Sequence, residues 1–392
     1  MSHDFEFNPF SHAHHADPYP TYKRLRDEAP AYYNPKLDFW ALSRFQDVLD
    51  AYNDWQTYTS TQGIAIEGYA GSRSMIEMDP PDQLPLRRLI NHAFTPRSVD
   101  RLEPRVRGLC TEFLNQIVEA GECDLVAGFA AKLPSDVIST LLGAPREDHL
   151  QIRLWPEAAL TREQTGGQAE GSASGMQHLR AYFPELLRSR RAQPRDDLAS
   201  ALCAVEHEGR KLTDEEGLAF LTLLITGGNE TTEKWIANTC FLLSEHPDQK
   251  RKVLDDPGLI PDAAEESIRY FSPTAYMART TTRDVPIHGE TIPKGEKVAL
   301  LCGAANRDER QFPDPDRFDI LRRAERHLGF GHGPHFCLGA RLARLEIRVA
   351  LEEIHRRIPD YAADPDGVDY MHGGNVAGFN RVPIRYTPAP RE

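Results

Sequence analysis

A cysteine set in a glycine-rich turn directly ahead of a helix is a metal-ligand arrangement. Residues 330–339, Phe-Gly-His-Gly-Pro-His-Phe-Cys-Leu-Gly, have that form. The glycines let the chain fold tightly around the Cys337 sulfur and aim backbone N–H groups at it. A following helix adds positive potential at its N-terminus, which lowers the thiol pKa and favours the thiolate. Cys110, Cys123, Cys203, Cys240 and Cys302 have neither this setting nor C-x-x-C spacing, and they read as buried small hydrophobes.

Two other groupings have chemical potential. Glu230-Thr231 places an acid beside a hydroxyl, a pair able to pass protons, within a long helical pattern. Gly227-Gly228 precedes it, and each glycine costs about 1 kcal/mol of helix stability relative to alanine. Either close approach by a flat ligand or close packing by another helix accounts for the pair, and the sequence leaves both open. Glu266 and Arg269 stand at i and i+3, where an acid and a base on one helical face can pair.

The cysteine loop resembles the haem-binding signature of the cytochrome P-450 family, Phe-x-x-Gly-x-His/Arg-x-Cys-x-Gly. It matches at Phe330, Gly333, His335, Cys337 and Gly339, and Leu342, Ala343, Arg344 and Glu346 continue the bacterial pattern. The resemblance runs over residues 17–388 and implies the family's single-domain fold, mainly α with a small β region. It implies that Cys337 is the axial thiolate ligand of haem b, iron protoporphyrin IX, where a thiolate pushes electron density onto iron and assists O–O cleavage. Phe330 and Phe336 are then expected near the sulfur, keeping water from it.

Residues 227–232, Gly-Gly-Asn-Glu-Thr-Thr, are similar to the family segment where the central helix loosens over the distal haem face. In that resemblance Gly227 and Gly228 make room for the cofactor, Thr231 hydrogen-bonds dioxygen and Glu230 relays protons from water. Glu266 and Arg269 match the structural Glu-x-x-Arg motif, with Arg322 as the expected third partner and Arg317 as the alternative. Arg87, Arg279 and His335 occupy positions that contact haem propionates. Gln83 stands where many bacterial members have histidine, so its contact is a departure from the pattern, limited to an amide hydrogen bond.

The activity implied is insertion of one oxygen atom from dioxygen into a small apolar organic substrate, with electrons from NAD(P)H through a ferredoxin reductase and a ferredoxin. Expected pocket walls are residues 62–66 with Ile64, Leu223 and Thr226 of the long helix, Thr274, Ala275, Met277, Val376 and Phe379. Residues 165–175, Gly- and Ser-rich, read either as a lid or as a surface insertion. Arg101, Arg105, Arg341 and Arg344, with Arg97, Arg107 and Arg348, are expected to form a basic docking surface for an acidic ferredoxin. Other readings are a haem-thiolate peroxygenase, isomerase or coupling enzyme, and a non-catalytic haem sensor.

The elements that must position these groups follow from pattern. Helices are predicted over residues 21–28, 44–52, 84–94, 99–120, 133–142, 176–191, 213–246 and 340–357, a hairpin over 31–33 and 39–42, and a small sheet within 279–301. Thr213 and Glu216 have capping-box spacing at the start of the longest helix, and Pro247 stops it. The 392 residues carry 46 Lys+Arg against 59 Asp+Glu, a net charge of −13 that argues against a nucleic-acid partner. The richest apolar run, residues 218–225, falls short of the ~18 residues of a membrane span, so no membrane anchor is expected. Residues 1–20 lack signal-peptide order, which suggests a cytoplasmic protein. One domain is expected over residues 17–392 behind a flexible tail, residues 1–16, whose His12, His14 and His15 lack acidic or cysteine partners.

Overall fold

A computed structural model describes residues 5–67, 74–91, 94–160, 172–204, 206–207 and 210–392. Five strands form the main sheet: β1 (Ala31–Asn34), β2 (Phe39–Leu42), β3 (Tyr58–Thr59), β4 (Met277–Thr281) and β5 (Lys297–Leu300). Their order is β1-β2-β5-β4-β3. β5 runs parallel to β2, with Ala299 opposite Ala41, and antiparallel to β4, with Val298 opposite Arg279. A separate hairpin, Val285–Ile287 with Glu290–Ile292, takes up the rest of the β-prone stretch.

Six helices carry the groups of interest: α1 (Phe45–Asn53), α2 (Gln83–Asn91), α3 (Lys132–Leu142), α4 (Asp214–Glu245), α5 (Ile260–Tyr270) and α6 (Ala340–Arg357). The predicted capping box starts α4: the Glu216 N–H donates to Thr213 Oγ1 at 3.2 Å, and the Thr213 N–H to Glu216 Oε2 at 2.9 Å. Phe220, Leu221, Ile225, Trp235, Ile236, Cys240 and Leu243 are buried along its length, so α4 is the core of the helical region. The Trp235 indole N–H donates to Ala264 O at 3.1 Å and Ser267 Oγ at 3.0 Å, which fixes α5 against it. Among the described residues no helix is long and apolar enough to cross a membrane.

Three expectations are corrected. The single helix predicted over residues 99–120 is two helices, Pro96–Asp100 and Glu103–Leu114. Pro104 lacks an N–H and restricts the residue before it, which favours a new start there. The helix His149–Leu160 was not predicted at all. The tail is anchored where it is described: Phe7 and Phe10 are 1% and 2% exposed and pack beside Tyr22, Tyr32 and Phe39. Their large aromatic area outweighs the cost of ordering the segment, and His15 Nδ1 lies 3.0 Å from His372 Nδ1. Residues 165–171 of the expected lid lie outside the described residues, and from Ser172 the chain is helical.

Candidate functional site

The cysteine loop closes on itself through backbone geometry. Gly331 and Gly333 have φ of +65° and +67°, a conformation that costs any other residue strain. A Cβ on Gly333 would sit 2.5 Å from Tyr52 O, so only glycine lets the loop lie against α1. The Cys337 N–H donates to Phe330 O at 2.9 Å, which turns the chain into α6. Cys337 is solvent-accessible, yet protein atoms crowd its sulfur and push the thiol pKa up. The N–H groups of Gly339 and Ala340 and the charges of Arg87 and Arg344 pull the other way.

Phe330 is buried edge-to-face against Trp235 of α4, with ring centroids 5.4 Å apart, and the Arg344 guanidinium lies 4.4 Å from the centre of the Phe330 ring. The loop and the central helix are therefore locked together two turns beyond Gly227-Gly228. Phe336 is 41% exposed, whereas Phe330 is buried at 9%. The glycine pair divides between its two possible roles. Gly228 faces Ile138 of α3, whose Cγ1 would lie 3.5 Å from an added Cβ, whereas a Cβ on Gly227 would meet nothing within 4 Å. Gly339 is open in the same way.

α4 continues unbroken through this stretch, in place of the loosening expected there. Thr231 Oγ1 donates to Gly227 O at 2.7 Å, one turn back, so the hydroxyl satisfies a carbonyl of its own helix. Thr231 is half-buried, while its neighbour Glu230 is buried at 3%.

Two cations flank the loop. Arg279 of β4 is buried and donates through Nη1 to Ala278 O at 2.8 Å. Burial lowers its pKa, and nearby Asp79 acts on it only electrostatically. Arg87 of α2 donates through Nη2 to the Phe336 carbonyl, and desolvation lowers its pKa against the pull of Cys337. Among the described residues neither guanidinium forms an ion pair with a carboxylate.

His335 differs from them. Its Nε2 lies 3.0 Å from Ser60 Oγ, its Nδ1 lies 3.2 Å from Gln83 Nε2, and burial lowers its pKa against the opposing pull of Asp79. Gln83 Nε2 also donates to Pro334 O at 3.0 Å, so its two N–H groups are both taken by the loop. The structure thus makes Gln83 a brace of the loop and not the ligand contact expected of it. Ser60 and Asp79 complete this brace and were not anticipated. They lie far from the loop in sequence, and no local spacing marks them.

Glu266 and Arg269 are fully enclosed. Arg269 is 0% exposed and bidentate to Glu266, with both N···O distances 2.8 Å, and it donates to Asn306 O at 2.9 Å and Pro315 O at 3.0 Å. Arg322 Nε reaches Glu266 Oε1 at 3.2 Å. Arg317 turns away to Asp319 and contributes only its carbonyl. Arg322 is therefore the third partner.

Backbone pairing gathers most of the expected pocket residues. The Ala278 N–H donates to Ile64 O at 2.8 Å, Ala275 N–H to Asn375 O at 2.9 Å, and Thr274 bridges to Val376. Asn375 Nδ2 lies 3.5 Å from Met277 Sδ. Leu223 and Thr226 are half-buried on α4, and Thr226 Oγ1 donates to Thr222 O at 2.9 Å. Phe379 does not belong with them: it is 1% exposed in the core, 4.7 Å from the Phe241 ring and 5.6 Å from that of Phe271.

The expected basic surface is partly neutralised. Arg341 Nη2 donates to both Asp100 carboxylate oxygens at 2.9 and 3.0 Å, and Arg344 Nε pairs with Glu265 at 2.7 Å. Arg348 and Arg107 both pair with Glu103. Among the described residues Arg97, Arg101 and Arg105 are exposed and have no carboxylate partner.

The geometry fits a flat, dianionic, sulfur-ligated group. A thiol stands at a helix N-terminus, two unpaired guanidinium groups are close by, and the Cβ positions of Gly227 and Gly339 are open. The profile of the family described as "Cytochrome P450" matches residues 259–357, which include Glu266, Arg269 and Cys337. The chain is 42% identical over 385 residues, 96% of each chain, to putative cytochrome P-450 123 of Mycobacterium tuberculosis. It is 37% identical over 391 residues to vitamin D(3) 25-hydroxylase of Pseudonocardia autotrophica, covering 97% of this chain and 96% of that one. The solved structure of CYP109Q5 from Chondromyces apiculatus superposes with a TM-score of 0.89 at 34% identity, over 98% of both chains.

Proposed function

Because the chain belongs to the cytochrome P-450 family of haem-thiolate monooxygenases, we propose that Cys337 ligates haem b and that the enzyme inserts one atom of dioxygen into a small apolar organic substrate. The observation that carries this reading is the Cys337 thiol at the start of α6, with Arg87 beside it and Arg279 beside His335 of the same loop, neither paired with a carboxylate among the described residues. Arg279 and Arg87 would bind the propionates, because each has guanidinium donors and no carboxylate to satisfy them. Bound there, haem supplies the redox chemistry by which dioxygen, two electrons and two protons yield one inserted oxygen atom and one water.

The protein's own residues handle the protons and the substrate. Glu230 holds a carboxyl beside Thr231, whose Oγ1 donates to Gly227 O and keeps its lone pairs available to accept a proton from water or acid. Rotation of that hydroxyl away from the helix carbonyl delivers a proton toward the open side of Gly227. Ile64, Thr274, Ala275, Met277 and Val376, with Leu223 and Thr226, orient an apolar substrate through few polar contacts. The relative named as a vitamin D(3) hydroxylase supports an apolar, ring-containing molecule within that class.

Turnover under ¹⁸O₂ with NADPH, a ferredoxin reductase and a ferredoxin tests this reading, and a product carrying one labelled oxygen is expected. Thr231→Ala should lower that turnover by roughly 10², the scale of a lost proton-transfer group, while peroxide-driven oxidation persists. Equal loss by both routes, or unlabelled product, would contradict the proposal.

Electron delivery is proposed to run from NAD(P)H through the reductase and an acidic ferredoxin docking at Arg101 and Arg105, within the cytoplasm. Charge reversal at both positions should slow ferredoxin-dependent reduction by about tenfold at low salt, with the difference shrinking at high salt. Arg341→Glu should change it less, since Arg341 is already paired with Asp100. An unchanged rate in the Arg101→Glu, Arg105→Glu variant would remove the docking assignment.

A further inference from the structure

Resting on the haem-thiolate reading, we propose that Tyr52 is a positioning residue that orients Arg279 toward the haem while seating the cysteine loop. Tyr52 is 3% exposed at the end of α1, and three separate contacts converge on it. The Arg279 Cζ lies over its ring, 5.5 Å from the centroid. Its hydroxyl lies 2.8 Å from Cys302 Sγ. Cys302 Sγ also lies 3.6 Å from Leu300 O, and the hydroxyl–sulfur contact tethers the ring at its far end.

The third contact is with the cysteine loop. A Cβ on Gly333 would lie 2.5 Å from the Tyr52 carbonyl, and one on Gly331 would lie 3.9 Å from the edge of its ring. Asn53, the next residue, holds His332 through an Oδ1···Nδ1 contact of 3.0 Å. One residue therefore touches both the strand that carries the buried cation and the loop that carries the thiol.

The reason Arg279 needs such a partner is its isolation. It is buried, it lacks an ion pair among the described residues, and its one recorded hydrogen bond goes to its neighbour's carbonyl. A long, flexible guanidinium in that state is not fixed in direction by hydrogen bonds. An aromatic face within about 6 Å attracts it without consuming its donors. Tyr52 thus stabilises the charge and leaves the N–H groups free for an anion. A carboxylate in its place would hold Arg279 equally well and compete with the propionate for it.

The test replaces Tyr52 with phenylalanine as the reference, and with 4-fluorophenylalanine and 3,4,5-trifluorophenylalanine, whose fluorines keep the ring's shape while withdrawing its negative face. The readouts are the rate of haem transfer to apomyoglobin and the reduction potential. Haem release is expected to rise stepwise along the series, reaching about tenfold for the trifluoro ring relative to phenylalanine. In an Arg279→Gln background the series should be flat, because the cation that senses the ring is gone. Equal release across the series with Arg279 present would overturn the inference. So would the same stepwise rise in Arg279→Gln, which would mean that the ring acts only by packing. If the wild-type protein took up no haem, the reading of Cys337 would fail and this inference with it, a result distinct from a flat series on a haem-loaded protein.

Discussion

Arg269→Ala is expected to leave little folded protein. The substitution strands the Glu266 carboxylate, whose side chain is 2% exposed, with only Arg322 and the Asp319 N–H for company. Removing one partner of a buried ion pair costs about 3–5 kcal/mol, because the other charge stays buried. The carbonyls of Asn306 and Pro315 lose their donor as well, and each buried acceptor left unsatisfied adds about 1–3 kcal/mol. Together these terms approach the whole stability of an ordinary domain, about 5–15 kcal/mol.

Arg269→Lys should recover only part of the loss. A single ammonium cannot reproduce the bidentate pairing or reach two carbonyls from one plane. The position also ties α5 to the irregular chain over residues 306–322 that leads into the cysteine loop, so haem incorporation should fall with stability. Soluble yield and the urea unfolding midpoint measure the effect. A midpoint unchanged from wild type would show that the network contributes nothing to the fold.

The parts of the fold and site that were legible in the sequence depend on short-range spacing. The turn around Cys337, the capping box at Thr213 and the Glu266–Arg269 pair each need only a few consecutive residues. Where the outcome depends on a distant partner, the sequence left it open or misled. Arg322 and Arg317 were both candidates for Glu266. The backbone on either side of them turns through left-handed conformations at Asp314 and Arg323, with φ of 47° and 46°, and only Arg322 reaches Glu266. Gly227 and Gly228 look alike in sequence, yet Ile138 of α3 stands against one and open space against the other.

Charge counting misled in a similar way. Arg341, Arg344 and Arg348 share one face of α6, and the pattern predicts an exposed basic stripe. Asp100, Glu265 and Glu103 on three other elements pack beside α6 and pair with them, and Glu352 of α6 itself also pairs with Arg348. Gln83 was read as able to make an amide contact in place of the histidine many family members have there, but its N–H groups are directed to Pro334 and His335. The N-terminal segment shows no helical or strand period, so its anchoring by Phe7 and Phe10 was invisible until their partners were in place.

The largest functional effect is expected at Cys337. Serine is nearly isosteric with cysteine, so Cys337→Ser keeps the backbone bond from residue 337 to Phe330 O and leaves the Phe330–Trp235 contact undisturbed. It replaces a polarisable thiolate by a hydroxyl that stays protonated at neutral pH. The electron donation that assists O–O cleavage is lost with the sulfur. Monooxygenase turnover should fall below detection while the unfolding midpoint changes little, which separates this variant from Arg269→Ala.

The measurement that tests the central assignment most directly is the absorption spectrum of the purified protein, reduced under carbon monoxide, for wild type and Cys337→Ser. The thiolate-specific Soret band is expected in the wild type and absent from the variant, whose haem, if retained, should absorb where neutral ligands place it. A wild-type protein without haem, or the same band in both proteins, would contradict the assignment of Cys337 as the ligand.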